Sequence, residues 1–409
     1  MKTIKLGFLG LGNIGSGVAR VLAMNKTLLQ EESGLTFEIV KVLERDPSRL
    51  EALGLAPSLR TEKIEEVTDH PDIDIIIEVL GGQEPAASFM RRALEHGKTV
   101  VTANKSALAP TWETLDRAAK QSGAGLYFEA SAGGGIPVID VLNHSMQANH
   151  IATIMGIING TTNYMLWRMK QEHMSYDQAL KEAQELGYAE PDPTFDVGGK
   201  DAAFKLSILA SLAMRKHVDV EDIACVGITE ITPQDLELGG EMGMTMKLLG
   251  IAKDQGDEVE AHVYPTFLPD SHMMSAVTDA FNAIFLTGDM VDDVMLYGRG
   301  AGALPTASAI VSDIVRASKA QHHEYQRFFT EGNKAKVNNR KAASRYFLRF
   351  DGEDIQNLKA ALEEKGLKVM KTATASGQCA VLIDQVSEEE LDRALAGCTG
   401  CLAAIHAEV

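Results

Sequence analysis

The chain has 409 residues, 45% of them hydrophobic and 23% charged, with a formal net charge of −18. That length suits about two or three domains, each with its own core. The excess of acid disfavours nucleic acid and anionic membrane as partners. Cys225, Cys379, Cys398 and Cys401 are too scattered for a secreted disulfide framework, and no apolar run is long enough to span a bilayer. Cys398 and Cys401 form a C-x-x-C without a second pair nearby, which argues against zinc. The opening MKTIKLGFLGLG is broken by glycines and lacks a cleavage site, so it is not read as a signal peptide. A cytoplasmic protein is expected.

Residues 4–9 form a short apolar strand, followed at once by Gly10-Leu11-Gly12-Asn13-Ile14-Gly15 and then a helical pattern. Strand, G-x-G-x-x-G, helix is the context a dinucleotide fingerprint requires. Gly10 allows the tight turn, Gly12 lets the backbone approach a pyrophosphate, and Gly15 lets helix pack on strand. A second strand, 37–43, ends in Glu44-Arg45. An acid there suits the ribose of NAD, and an arginine suits the 2′-phosphate of NADP. The pair leaves both open, with a lean to NADP through Arg45.

Strands at 74–79, 99–102 and 126–129 alternate with helices at 85–96 and 112–121, which makes a parallel α/β sheet of Rossmann type. Ligands bind beyond the carboxyl ends of such strands, where Gly81-Gly82 and Asn104-Lys105 lie. The loop Ala132-Gly133-Gly134-Gly135-Ile136-Pro137 follows, then a helix over 138–146. Its carbonyls beside Glu129 would suit a hard cation, and a plain interdomain hinge is the other reading. A strand over 151–158 leads into the polar turn Asn159-Gly160-Thr161-Thr162-Asn163.

The segment GYAEPDPTFDVGGKDAAFKLSILA, starting at Gly187, places Glu190, Asp192 and Asp196 in a turn-rich stretch. Asp201 and Lys205 then share one face of a helix. An Asp–Lys pair at this spacing is ordinarily a solvated surface pair. Here the helix carries apolar residues on nearly every side, which buries it, and a buried lysine needs a reason. Strands at 223–228, 258–267, 283–287 and 293–296 lack crossover helices between all of them. That predicts an α+β catalytic and dimerisation domain with a mostly antiparallel sheet, and a homodimer or higher homo-oligomer. Gly298-Arg299-Gly300-Ala301-Gly302 opens a small-residue helix that closes back on the first domain.

These residues carry a resemblance. The fingerprint, Glu78-Val79-Leu80-Gly81-Gly82, Thr102-Ala103-Asn104-Lys105, residues 129–137, 159–164, 187–205 and 298–309 resemble homoserine dehydrogenase over nearly the whole chain. The resemblance implies interconversion of L-homoserine and L-aspartate 4-semialdehyde with NAD(P), on the way to threonine, isoleucine and methionine. It implies Lys205 as catalytic acid/base and Lys105 as its partner at the reacting oxygen. Glu190, Asp196 and Asp201 would hold the substrate amine and water, with Gly187 and the turn Gly160-Thr161 as further substrate contacts. Gly10, Gly12, Asn13, Ile14, Gly15, Arg45, Gly81, Thr102, Lys105 and Gly302 would meet the cofactor, NADP or NAD. Glu129, Ala132, Gly134 and Ile136 match a loop for a monovalent cation such as Na+. Because the chain opens at the dinucleotide fold, the aspartate kinase fused to some relatives is not expected. A semialdehyde dehydrogenase would need a cysteine in a polar loop near the cofactor domain. A nucleotide sensor would need neither Lys105 nor Lys205.

The expected division is 1–130 for the dinucleotide domain, completed by a helix over 302–319, and 131–320 for the catalytic domain. Residues 321–343 read as a polar linker, with His322 and His323 solvated. Residues 344–409 give strand and helix in the order βαββαβ and resemble an ACT regulatory domain. Its usual Asp-x-Pro-Gly effector loop is replaced by Asp351-Gly352-Glu353-Asp354, which predicts weak or absent inhibition by threonine. The linker predicts that a chain ending near Asn338 stays folded and active.

Overall fold

A computed structural model describes residues 2–320, 332–396 and 400–408. His322, His323, the first part of the polar linker (321–331) and Cys398 lie outside the described residues. The chain forms two compact units.

The first unit comprises 1–148, 207–220 and 298–334. Its strands are β1 (Lys2–Leu9), β2 (Leu35–Leu43), β3 (Arg60–Thr61), β4 (Ile75–Glu78), β5 (Thr99–Thr102) and β6 (Leu126–Tyr127). They pair in the order β3-β2-β1-β4-β5-β6, every pair parallel. This is the doubly wound order of a Rossmann sheet. Near-continuous apolar strands such as β4, buried at every position, fit a sheet covered on both faces. The helix Ala303–Lys319 joins this core through Ala307, Ile310 and Ile314, alongside Phe8 and Val18. Its approach to the helix Asn13–Met24 is close, since a Cβ on Gly17 would stand 2.8 Å from the Ala303 carbonyl oxygen. The sequence predicts a helix from Trp112. The structure starts it at Lys105, capped by the Asn104 side chain, and carries Pro110 inside it. The cap and the buried face of Ala107, Leu108 and Trp112 outweigh the backbone hydrogen bond that proline forfeits.

The second unit comprises 149–206, 221–297 and 335–409. Its strands are β7 (Ile151–Ile157), β8 (Ala224–Cys225), β9 (Met244–Gln255), β10 (Glu258–Pro269), β11 (Phe281–Gly288), β12 (Asp292–Arg299), β13 (Ala343–Asp351), β14 (Val369–Ala375), β15 (Gln378–Ser387) and β16 (Cys401–Ala407). The order is β12-β11-β7-β9-β10-β16-β13-β15-β14, with β8 beside β10. The sheet is mostly antiparallel, with β10–β16 and β8–β10 parallel. The strand predicted over 223–228 shrinks to the two residues of β8. The central strand β9 is missing from the sequence prediction, because Lys247 and Gly250 interrupt its apolar run.

The tail is not a free appendage. Its four strands take the order β16-β13-β15-β14 over a core that includes Tyr346, Leu348, Leu362, Val381 and Leu391. β16 then pairs with β10, Thr266 opposite His406 and Phe267 opposite Ala407. Arg349 Nε donates to Asp235 Oδ1 at 2.7 Å, both side chains buried. Phe267 packs on Phe347, with ring centroids 4.8 Å apart. Asn339, in the expected linker, uses its side-chain amide like a strand residue, bonding Ala261 N at 2.7 Å and Ala261 O at 2.9 Å. The expectation that few contacts cross near residue 338 is therefore overturned. Linker polarity signals a solvated surface, and it is silent about the backbone pairing that follows.

Candidate active site

In the first unit the fingerprint makes the turn between β1 and its helix. Gly10 takes φ 94°, in the left-handed region that favours glycine. A Cβ on Gly15 would lie 2.5 Å from the Gly10 carbonyl oxygen, so only glycine fits. The helix begins at Asn13, after Gly12 and without a side-chain cap, which leaves its first N–H groups for phosphate oxygens. These residues fit a dinucleotide. Glu44 is buried, and Arg45 is exposed. The Glu44 carboxylate accepts from Leu11 N at 2.9 Å, Arg45 N at 2.9 Å and Asp46 N at 3.1 Å, and pairs with Arg49 Nη1 at 3.2 Å. Burial opposes its charge, but the Asp46 and Leu11 N–H groups with Arg49 outweigh it and hold the carboxyl below its ordinary range. Arg49, which the fingerprint pattern does not single out, stands 3.5 Å from where a Gly12 Cβ would be.

At the carboxyl ends of β4 and β5 a buried acid organises the next two loops. Glu78 accepts from Thr102 Oγ1 at 2.6 Å, Leu80 N at 2.8 Å and Asn104 Nδ2 at 3.3 Å. Asn104 also donates to Gly82 O at 2.8 Å and caps the helix that Lys105 begins. Gly81 takes φ 80° in the same loop. Burial pushes the Glu78 carboxyl up, against the pull of those donors. Replacing Glu78 with Leu strands several buried donors at once. The expected result is a loss of more than about 2 kcal/mol in urea denaturation, with weakened dinucleotide binding.

Glu129, Ala132, Gly134 and Ile136 lie on one buried loop and its edges. Both Glu129 carboxylate oxygens are engaged, by Ile139 N at 2.9 Å and Asp140 N at 2.7 Å. Burial and the neighbouring Asp313 carboxylate push the Glu129 carboxyl up to about 7. A cation there would be met by backbone carbonyls rather than by this side chain. Gly134 takes φ 57°, and a Cβ on it would stand 2.3 Å from the Gly300 carbonyl oxygen. Gly302, φ 110°, precedes the helix Ala303–Lys319.

In the second unit, the start of the helix Lys200–Met214 presents Asp201 and Lys205 one turn apart, both largely buried, with Nζ to Oδ2 at 2.7 Å. Lys205 Nζ also donates to Ile158 O at 2.7 Å. Asn159 completes the group: its Nδ2 donates to Asp196 at 2.7 Å and Asp201 at 2.9 Å. Its Oδ1 accepts from Thr162 N at 2.9 Å, capping the helix Gly160–Glu172. The structure thus brings Asp196, Asp201 and Lys205 together with the turn at residues 158–161. Thr161 Oγ1 donates to Tyr188 O at 2.5 Å, tying the turn to the next loop. Glu190 is exposed and Gly187, φ 76°, ends the preceding helix, so neither joins that hydrogen-bonded group. Asn159 is the residue that pattern reading undervalued. An N-cap signal marks it, but its second role toward two acids is a tertiary fact.

A glycine-rich dinucleotide turn on a Rossmann sheet and a buried lysine among carboxylates define a nicotinamide-dependent oxidoreductase. Family models agree: residues 10–129 match the NAD binding domain of homoserine dehydrogenase, and residues 137–315 match homoserine dehydrogenase. The chain belongs to the homoserine dehydrogenases, NAD(P)-dependent oxidoreductases acting on the CH–OH group of homoserine. It is 44% identical over 319 residues to the homoserine dehydrogenase of Bacillus subtilis (strain 168), covering 78% of this chain and 74% of the relative. A crystal structure of a homoserine dehydrogenase from Thiobacillus denitrificans superposes with a TM-score of 0.91 at 33% identity, covering 100% of this chain and 99% of that one. A hyperthermophilic archaeal homoserine dehydrogenase in complex with NADPH gives 0.66 at 25% identity, covering 79% of this chain and 100% of that one. Among the described residues no helix is long and apolar enough to cross a membrane.

Proposed function

We propose that Lys205 is the acid/base of homoserine oxidation, that Lys105 serves the same reacting oxygen, and that NADP is the preferred cofactor. The observation that carries the first assignment is the Lys205 ammonium, fixed by Ile158 O and Asp201 at 2.7 Å each. When bound, the dinucleotide supplies the hydride chemistry. For oxidation Lys205 acts from its neutral amine form, which takes the alcohol proton as the carbonyl forms and becomes the ammonium; in the reverse direction that ammonium gives the proton back. Asp196, Asp201 and the more exposed Glu190 suit a substrate that carries an ammonium group, with Gly187, Gly160 and Thr161 shaping its site. The reaction belongs to the route toward threonine, isoleucine and methionine. Reduction of NADP+ by L-homoserine, followed by absorbance, tests the assignment, and absence of turnover overturns it.

Arg45, exposed at the end of β2, suits the 2′-phosphate, and the NADPH complex of the archaeal relative supports this choice. Arg45→Ala is expected to raise KM for NADP+ about tenfold while KM for NAD+ stays within about twofold. Equal shifts for both cofactors would leave Arg45 a surface charge and direct attention to Arg49. A monovalent cation such as Na+ would be held by the carbonyls of Glu129, Ala132, Gly134 and Ile136 and would brace that loop. We read residues 344–409 as an ACT-like module with weak threonine response, and the protein as a cytoplasmic homo-oligomer, a homodimer at least.

A further inference from the structure

Lys247 lies in the first half of β9 with only 2% of its surface exposed. Its two partners are neutral oxygens: Nζ donates to Asn163 Oδ1 at 3.0 Å and to Val277 O. Burial, with Lys170 nearby, pulls its pKa down to about 8. A buried ammonium that meets no carboxylate among the described residues costs stability, and a methionine would fill the same volume without that cost. The residue therefore serves something other than packing.

What it holds is the segment behind the substrate turn. Asn163, fixed from one side by Lys247, spends its amide on three carbonyls: Val277 at 3.3 Å, Asp279 at 2.8 Å and Phe281 at 3.2 Å. Asp279 adopts φ 56°, a left-handed conformation that a non-glycine residue keeps only when its surroundings hold it. Between these carbonyls, Ala280 presses on the turn, since a Cβ on Gly160 would lie 2.7 Å from its carbonyl oxygen. The turn is thus clamped from both sides. Lys205 holds Ile158 O in front of it, and the Lys247–Asn163 pair holds the strap of residues 277–281 behind it.

We infer that Lys247 is a positioning residue for homoserine, acting through Asn163 and the 277–281 strap to fix Gly160 and Thr161. This rests on the assignment of those two residues to the substrate site. Lys247→Met is expected to raise KM for homoserine about tenfold, with KM for NADP+ within about twofold and kcat per folded site changed much less than KM. Asn163→Ala should give a similar rise, and the double variant no more than either alone, because both changes loosen one strap. A homoserine KM within about twofold of the parent in Lys247→Met, or additive effects in the double variant, overturns the inference. Should Lys247→Met fail to fold, Asn163→Asp decides. It leaves Lys247 an oxygen acceptor, now anionic, while removing the donor to the strap, and an unchanged homoserine KM overturns the inference just as firmly. Thr161→Ala tests the turn separately: no KM change there beside a shift in Lys247→Met discards the Thr161 contact and keeps the role of Lys247.

Discussion

Lys205→Met is expected to lower kcat for homoserine oxidation by about 100-fold or more while dinucleotide affinity stays unchanged. Methionine matches the length and apolar stem of lysine, so the packing of the helix Lys200–Met214 should survive. What disappears is an ammonium held at 2.7 Å from both Ile158 O and Asp201. Asp201 then keeps Asn159 as its partner at 2.9 Å, and breaking a buried pair lowers the melting temperature as well. For that reason kcat must be expressed per folded site, counted by dinucleotide titration. The cofactor turn belongs to the other unit and has its own core, so its binding is an internal control. Turnover within about tenfold of the parent would remove Lys205 from the proton transfer and leave it a structural lysine.

A chain ended at Asn338 is expected to lose the fold of the second unit and to be recovered as aggregate. Truncation removes β16 and strips the Thr266–Phe267 end of β10 of its parallel pairing, including the bond from Glu408 N to Phe267 O at 2.9 Å. It exposes Phe267, 0% exposed in the intact chain. It also removes Arg349 from Asp235, breaking a pair that is buried in the intact chain. An unpaired, apolar strand edge is then a template for association. Soluble yield and the thermal transition of the truncated chain are the measurements. A soluble, active product with a parental transition would show that β10 finds other cover.

The shared sheet also bears on regulation. A ligand of the C-terminal module can alter activity only by favouring one arrangement of the chain over another. Here β13 to β16 and the strands of the second unit are one hydrogen-bonded structure, joined by the buried Arg349–Asp235 pair. Lys253 adds a bond to Glu408 at 2.5 Å across the same seam.

Local chemistry made much of this protein legible in its sequence. The fingerprint from Gly10 to Gly15 combines backbone freedom with strand and helix periodicity, all within a dozen residues. The parallel sheet follows from apolar strands alternating with helices. The Asp201–Lys205 pair follows from helix geometry, and its burial follows from the apolar residues on every side of that helix. Each of these is a short-range consequence of side-chain type. Tertiary structure alone decided the rest. β9 is a central strand although Lys247 and Gly250 break its pattern, because partners distant in sequence take up the ammonium and the bare backbone. Glu44 turns inward to Leu11 N and Arg49, since a buried carboxylate takes the backbone and guanidinium donors beside it. The tail joined the second sheet because an open strand edge pairs with whatever backbone the fold brings beside it, and backbone hydrogen bonds carry no sequence signature.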